Sequence, residues 1–179
     1  MSNIMSSYER VVKLFTGETP DRIVVLPQIG DHAGWKAGIS MDLIYHDVEK
    51  TVEAHLLAYK KYGYDIVAIQ VEPSWPVAEA CGCDVTYPKD KCPWITKNII
   101  HKAEDIDNLQ IPDFYDNPAT RTILEATKIL KQKIGKEAMI AGYITGPLTF
   151  ALQLMPYTDF VINMKKDPHF IKALVSKST

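Results

Sequence analysis

Two hydrophobic periods alternate along this chain. Tyr8, Val11, Val12 and Phe15 recur at helical spacing and share one face. Ser6 stands ahead of them with Glu9 three residues on, the pattern of a capping box, and Gly17 supplies a stop. Ile23 to Leu26 is a short β-branched run ended by Pro27, which predicts a buried strand. The glycine-bracketed segment Gly30-Asp31-His32-Ala33-Gly34 reads as the loop after that strand. Asp47 to Tyr62 predicts a helix with Val48, Val52, Leu56 and Tyr59 as its apolar stripe and Gly63 as its stop. Asp65 to Val71 is nearly continuously apolar, as parallel strands covered on both faces are.

The second half repeats the alternation. A short, doubtful strand is expected at Asp84 to Tyr87. Pro88 to Asp116, with prolines at 88, 93 and 112, is expected to be irregular. Asn117-Pro118 places a capping residue and a first-turn proline ahead of a helix that runs to about Ile134, with Ile123, Leu130 and Ile134 on its apolar face. Ala138 to Tyr143 predicts the next strand. Helices follow at about Leu148 to Leu154 and Thr158 to Lys166, and Asp167-Pro168 caps a last one.

Strands alternating with helices argue for α/β architecture built from parallel βαβ units. An eight-stranded barrel needs roughly 250 residues. A doubly wound sheet would fit in 179, so the periodicity leaves both open. The chain contains neither GxGxxG nor GxxxxGK[ST], which removes the commonest phosphate-binding loops of doubly wound nucleotide folds.

Composition narrows the functional classes. The chain is 46% hydrophobic and 23% charged, with a net charge of -2, an ordinary globular balance consistent with one domain over residues 1–179. Clustered Lys and Arg of the kind that bind nucleic acid or anionic membranes are missing. No apolar run reaches the roughly 18 residues of a membrane span. The polar start, Met1 to Arg10, lacks the apolar stretch of a signal peptide, so a cytoplasmic protein is expected. Cys81, Cys83 and Cys92 are odd in number and unlike a CxxC zinc knuckle, and are read as small, half-buried thiols.

Three stretches, in order, carry a family resemblance. Glu9-Arg10 through Gly17-Glu18-Thr19-Pro20-Asp21-Arg22 resembles an opening "ERxxxxxxGExxDRxP" helix and turn. Glu79-Ala80-Cys81-Gly82-Cys83-Asp84-Val85 is similar to an "EALGxEV" segment. Gly146-Pro147-Leu148-Thr149-Phe150-Ala151 is similar to a "GPxTLA" helix start, with Asp167-Pro168-His169-Phe170 matching "DPEF" beyond it. Together they resemble the uroporphyrinogen decarboxylase (URO-D) and methylcobamide:coenzyme M methyltransferase superfamily, over roughly the first half of its length. The resemblance implies a TIM (β/α)8 barrel, of which this chain would be the N-terminal half and therefore an incomplete barrel. It also implies an active site at the C-terminal ends of the strands.

The resemblance implies two chemistries. Decarboxylases of the superfamily carry an "RQAGRY" loop after the first strand, whose arginines suit substrate carboxylates. Here the loop reads Asp31-His32-Ala33-Gly34-Trp35-Lys36, with Asp31 and Trp35 in place of the two arginines. An acid there repels a polycarboxylate. The other branch moves a methyl group from a methylated corrinoid protein to a thiol or tetrahydrofolate, and the chain resembles that branch better. Zinc and a corrinoid are implied for the full-length methyltransferase. The zinc motif of the thiol branch lies in the second half of the barrel, so no complete metal site is expected in this chain, and the chain alone is not expected to be active. Expected partners are the corrinoid protein and the missing C-terminal half of the barrel, with homo-oligomerisation open. A decarboxylase of porphyrin biosynthesis is the alternative enzyme. A non-catalytic split-barrel subunit or truncated remnant is the alternative of another class.

The candidate cavity residues are Asp31, His32, Gln70, Glu72, Tyr143, Thr145 and Gln153. Gln70 and Glu72 alternate onto one face of their strand. Tyr143 and Thr145 end the later strand. Gly146-Pro147 opens a helix whose free amides suit an anionic group. Each has an ordinary alternative: loop capping for Asp31 and His32, an N-cap or ion pair for Glu72, a plain strand–helix turn at Thr145. Trp35, Trp75 and Trp94 could wall a flat ligand or simply pack their loops. His46, His55, His101 and His169 read as structural or surface residues.

Overall fold

The computed structural model describes residues 5–69 and 74–179. In chain order its elements are α1 (Ser7–Phe15), α2 (Gly30–Ala37), α3 (Met41–His46), α4 (Val48–Tyr62), β1 (Ile66–Ala68), α5 (Ser74–Ala80), β2 (Asp84–Thr86), β3 (Trp94–Lys97), α6 (Ala103–Asn108), α7 (Pro118–Ile134), β4 (Met139–Ala141), α8 (Pro147–Leu154), α9 (Tyr157–Lys166) and α10 (Pro168–Lys177). The chain is thus a mixed helix and strand protein. It divides into two compact units, Met1–Val71 with Thr122–Tyr143, and Glu72–Arg121 with Ile144–Thr179.

The first unit is built on the parallel pair β1 and β4, with Ile66 opposite Met139 and Ala68 opposite Ala141. β1 is buried along its whole length, as its unbroken apolar run requires. Helix α1 begins with the expected capping box: the Ser6 hydroxyl accepts from the Glu9 amide, and the Glu9 carboxylate accepts from the Ser6 amide. Its buried residues are Arg10 and Val11, whereas Phe15 is 77% exposed, so the expected apolar face is only partly used.

Arg10 is buried for an electrostatic reason. Its guanidinium meets Asp21 at 2.6 Å and Asp65 at 2.6 Å, and donates to the Met5 carbonyl at 2.7 Å. Asp65, whose side chain is fully buried, also takes Arg22 at 2.6 and 2.8 Å and the Val25 amide at 2.9 Å. The residues of the opening motif therefore converge on one carboxylate at the start of β1.

Three local expectations are corrected. Ile23 to Leu26 forms no strand. The Val25 carbonyl accepts from the Asp65 and Ile66 amides, but no ladder develops, and Ile23 is 84% exposed. The loop expected at Gly30 to Gly34 is the first part of helix α2. It is helical because Gly34 lets it lie against α3: a Cβ on Gly34 would come within 2.6 Å of Ile44 and 2.8 Å of the Met41 methyl. In α4 the buried residues are Thr51, Val52, Ala54, His55 and Ala58, so the stripe is rotated away from Val48, Leu56 and Tyr59.

The second unit holds an antiparallel hairpin, β2 with β3, that shares no ladder with β1 and β4. The doubtful strand at Asp84 is thus a hairpin arm. Its partner β3 and helix α6 lie inside the stretch expected to be irregular. Prolines 88 and 93 fall in the connection between the arms, where a missing amide costs nothing. Around the hairpin Ala78, Cys83, Ile100, Ile106, Leu154, Met155, Phe160, Phe170 and Leu174 form a core.

Replacing Asp65 with Asn leaves Arg10 buried with half its charge partners, and should cost about 3–5 kcal/mol in urea unfolding. The acid limb of stability should carry two components. Burial alone would raise the Asp65 carboxyl, but Arg22, the Val25 amide and Arg10 outweigh it, so its pKa lies below the usual carboxylate range. The hydrogen bond from Arg10 holds Asp21 at about 2. Both are depressed, so their contribution is complete above a pH of about 4 and disappears as pH falls towards 2. His55 is buried, with Nδ1 3.0 Å from the Thr51 carbonyl, and burial lowers its pKa. Its contribution is therefore complete above a pH of about 6.5 and falls below that. Unfolding of His55→Gln should show no slope between those two windows, while the lower limb stays.

Candidate functional site

Because β1 and β4 run parallel in register, their C-terminal ends lie side by side. Tyr143 follows β4 by two residues and is half-buried. Gln70 and Glu72, the candidates beyond β1, lie outside the described residues. In the same unit, Asp31 occupies the first turn of α2 and is half-buried, where a carboxylate favours the amide end of the helix.

His32 is exposed on α2. Its Nε2 lies 2.9 Å from the Tyr62 hydroxyl at the end of α4. The imidazole packs against two rings, with centroids 5.4 Å from Trp35 and 5.8 Å from Tyr62. His32, Trp35 and Tyr62 thus form an aromatic row across α2 and α4. Lys36 stands 6.0 Å over the Trp35 ring and Lys61 6.0 Å over the Tyr62 ring. The sequence reading singled out His32 and Trp35 separately. It missed Tyr62 and the lysines, since α4 lies some thirty residues on and only packing of two helices brings them together.

In the second unit, Thr145 stands immediately before Gly146, the N-cap of α8. Its hydroxyl oxygen is buried without a partner among the described residues. Gly146 offers no side-chain cap and Pro147 has no amide hydrogen, so the first-turn amides of Leu148 and Thr149 are those left to receive an acceptor. Gln153 lies in α8, half-buried. Its backbone carbonyl accepts from the Asn98 side-chain amide at 2.8 Å and from the Cys83 thiol at 3.8 Å, which gives this segment a structural task. Glu79 of the second motif is a clasp as well. Its Oε2 accepts from the Tyr87 hydroxyl at 3.0 Å and from Asn117 at 2.9 Å, tying α5 to the start of α7. Burial and the Glu79 carboxylate raise the Tyr87 pKa.

The same unit contains a cavity of about 340 Å³ lined by Cys81, Ile99, Ile100, Asp105, Asn108 and Leu109. Burial raises the Cys81 thiol, and burial with the neighbouring Cys81 pushes Cys83 up to about 12. Both are therefore neutral thiols and poor nucleophiles at neutral pH. Among the described residues no group of three or more His, Cys, Asp or Glu side chains could hold a metal ion, so the donors present do not fit a zinc site.

The profile of the uroporphyrinogen decarboxylase (URO-D) family matches residues 6–179. The chain belongs to this family. Among curated proteins, it is 31% identical over 101 residues to the methylcobamide:CoM methyltransferase MtaA of Methanosarcina barkeri, a match that covers 55% of this chain and 29% of that protein. It is 29% identical over 106 residues to the methylcobamide:CoM methyltransferase MtbA of Methanosarcina mazei, covering 59% of this chain and 31% of that protein. Its fold is that of a solved methyltransferase from Methanosarcina mazei, with a TM-score of 0.82 at 20% identity, over 97% of this chain and 52% of the other. The chain thus spans about half the length of that solved methyltransferase, and its matches cover about a third of the curated relatives. Among the described residues no helix is long and apolar enough to cross a membrane.

If Glu79 is the clasp described, Glu79→Ala should lower stability by about 1–3 kcal/mol by leaving Tyr87 and Asn117 without their acceptor. Glu79→Gln, which keeps an acceptor oxygen, should recover part of that loss in the same thermal unfolding measurement.

Proposed function

We propose that this chain is the N-terminal portion of a single (β/α)8-barrel domain whose whole protein is a cytoplasmic methyltransferase. The methyl donor is a methylated corrinoid held by a partner protein. The acceptor is a thiol or tetrahydrofolate. The observation that carries this reading is segment Asp31 to Lys36. It is a helix with an acid at Asp31 and the exposed Trp35 at the positions where decarboxylases resemble one another in having arginines. A polycarboxylate would meet repulsion at Asp31. The names of the curated relatives support the same branch.

In this reading the cavity lies beyond the C-terminal ends of the strands. Asp31, His32, Gln70, Glu72, Tyr143, Thr145 and Gln153 are its proposed polar lining. Tyr143 follows β4, and the uncapped start of α8 beside Thr145 suits an anionic part of the acceptor. In the thiol branch zinc would take its ligands from the remainder of the barrel.

The test uses the full-length protein. Methylcobalamin should be demethylated in the presence of a thiol or tetrahydrofolate, read as the loss of its visible spectrum, with methylated acceptor in equal amount. Uroporphyrinogen should release no carbon dioxide. Decarboxylation without methyl transfer would overturn the proposal in favour of the porphyrin branch. Activity that appears only when a second polypeptide is added would make this chain a split-barrel subunit.

A further inference from the structure

The cavity of about 340 Å³ in the second unit has the size of a small-molecule site, and the methyl-transfer reading does not use it. Its walls are apolar. Ala80 ends α5, Ile99 and Ile100 lie just beyond β3, and Leu109 follows α6. Ile100 is 1% exposed and Leu109 8%. The walls are also held in place. The Ile99 and Ile100 amides both donate to the Leu154 carbonyl, at 3.1 and 3.0 Å, which ties that side to the end of α8. Asn108 and Gln110 are exposed, so the cavity has an open side.

One charged group stands among these walls. Asp105 of α6 is half-buried, and its Oδ2 accepts from the His101 amide at 2.8 Å and the Lys102 amide at 3.0 Å. Its Oδ1 has no partner among the described residues, and no Lys or Arg there forms an ion pair with the carboxylate. The hydrogen bonds from the His101 and Lys102 amides fix its orientation and hold its pKa below the usual carboxylate range, so it is charged at neutral pH. Three residues on, Asn108 shares its face of the helix. The Asn108 Nδ2 donates to the Glu104 carbonyl at 3.3 Å, which leaves Oδ1 as an acceptor. The lining thus offers two acceptor oxygens, one of them charged, and no cation.

These features select a class of ligand. Asp105 repels an anion. A metal ion lacks donors, because among the described residues no three His, Cys, Asp or Glu side chains come together. A neutral apolar molecule would cover the carboxylate without giving it a partner. An ammonium group on a compact apolar body meets both demands. We therefore propose that this cavity binds a small organic ammonium, its N–H groups donating to Asp105 and Asn108 and its apolar body lying against Ala80, Ile99, Ile100 and Leu109. The site is independent of the methyl-transfer reading and is made wholly of residues in the second unit.

Cyclohexylammonium, cyclohexanol and cyclohexanecarboxylate are probes of similar shape and different charge. Each is titrated into the full-length protein near neutral pH at constant ionic strength, and the Ile and Leu methyl signals are followed by NMR. Cyclohexylammonium should give saturable shifts at Ile99, Ile100 and Leu109 and leave Ile44, in the first unit, unmoved. The alcohol should bind at least about tenfold more weakly, for want of a charge-assisted hydrogen bond, and the carboxylate not at all. Asp105→Asn keeps an acceptor for the His101 and Lys102 amides but removes the charge. It should weaken ammonium binding by a similar factor and leave the alcohol unaffected. Ala80→Leu fills the cavity from the α5 side and should abolish binding of both. A linear response, carboxylate binding as tight as that of the ammonium, or ammonium binding untouched by Asp105→Asn would overturn the proposal. Alcohol binding as tight as that of the ammonium would also overturn it, by making the cavity a plain apolar void.

Discussion

Asp65 is the constraint on which the first unit turns. A carboxylate with a fully buried side chain is costly unless it is paired and hydrogen-bonded. Arg10 from α1, Arg22 from the following turn and the Val25 amide together satisfy it. These partners lie 55, 43 and 40 residues away in sequence. The cluster therefore fixes the first helix and the stretch after it against the start of β1. Pairing alone is weak evidence of net stabilisation. Its value here is that few other arrangements of these segments satisfy the same charge.

This gives the opening motif a physical meaning. Glu9 caps α1, Arg10 and Asp21 pair, and Arg22 closes on Asp65. None of these groups is free for chemistry. Glu79 of the second motif is likewise occupied by Tyr87 and Asn117. The first two stretches of the family resemblance thus hold local architecture, whereas Asp31, half-buried, and Trp35, exposed, lie on α2 outside those clasps. Such a division lets one scaffold serve different substrates.

Much of the fold was legible beforehand wherever a local rule acts alone. The capping box at Ser6, the Asp167 cap, the stops at Gly17 and Gly63, and the buried run of β1 follow from neighbours within a few residues. The errors share a cause. Ile23 to Leu26 has strand composition, but a strand exists only where a neighbour completes its ladder. Gly30 to Gly34 looks like a loop because two glycines lower helix propensity, yet Gly34 is needed for close helix packing and tertiary contact outweighs propensity. β3 went unseen because its pairing with β2 is the signal, and prolines on both sides masked it.

The candidate site divides in the same way. Part of it can be read along the chain: Tyr143 and Thr145 follow β4, whereas Asp31 and His32 lie on α2 with no strand before them among the described residues. The sequence alone determined the family, the alternation of helix and strand and the caps that bound them, because those depend on residue identity over short separations. Only the tertiary structure decided that Arg10, Arg22 and Asp65 form one cluster and that His32 meets Tyr62. Each of these is a contact between helices or turns whose relative rotation is set by which side chains can be buried together, and no local period encodes that.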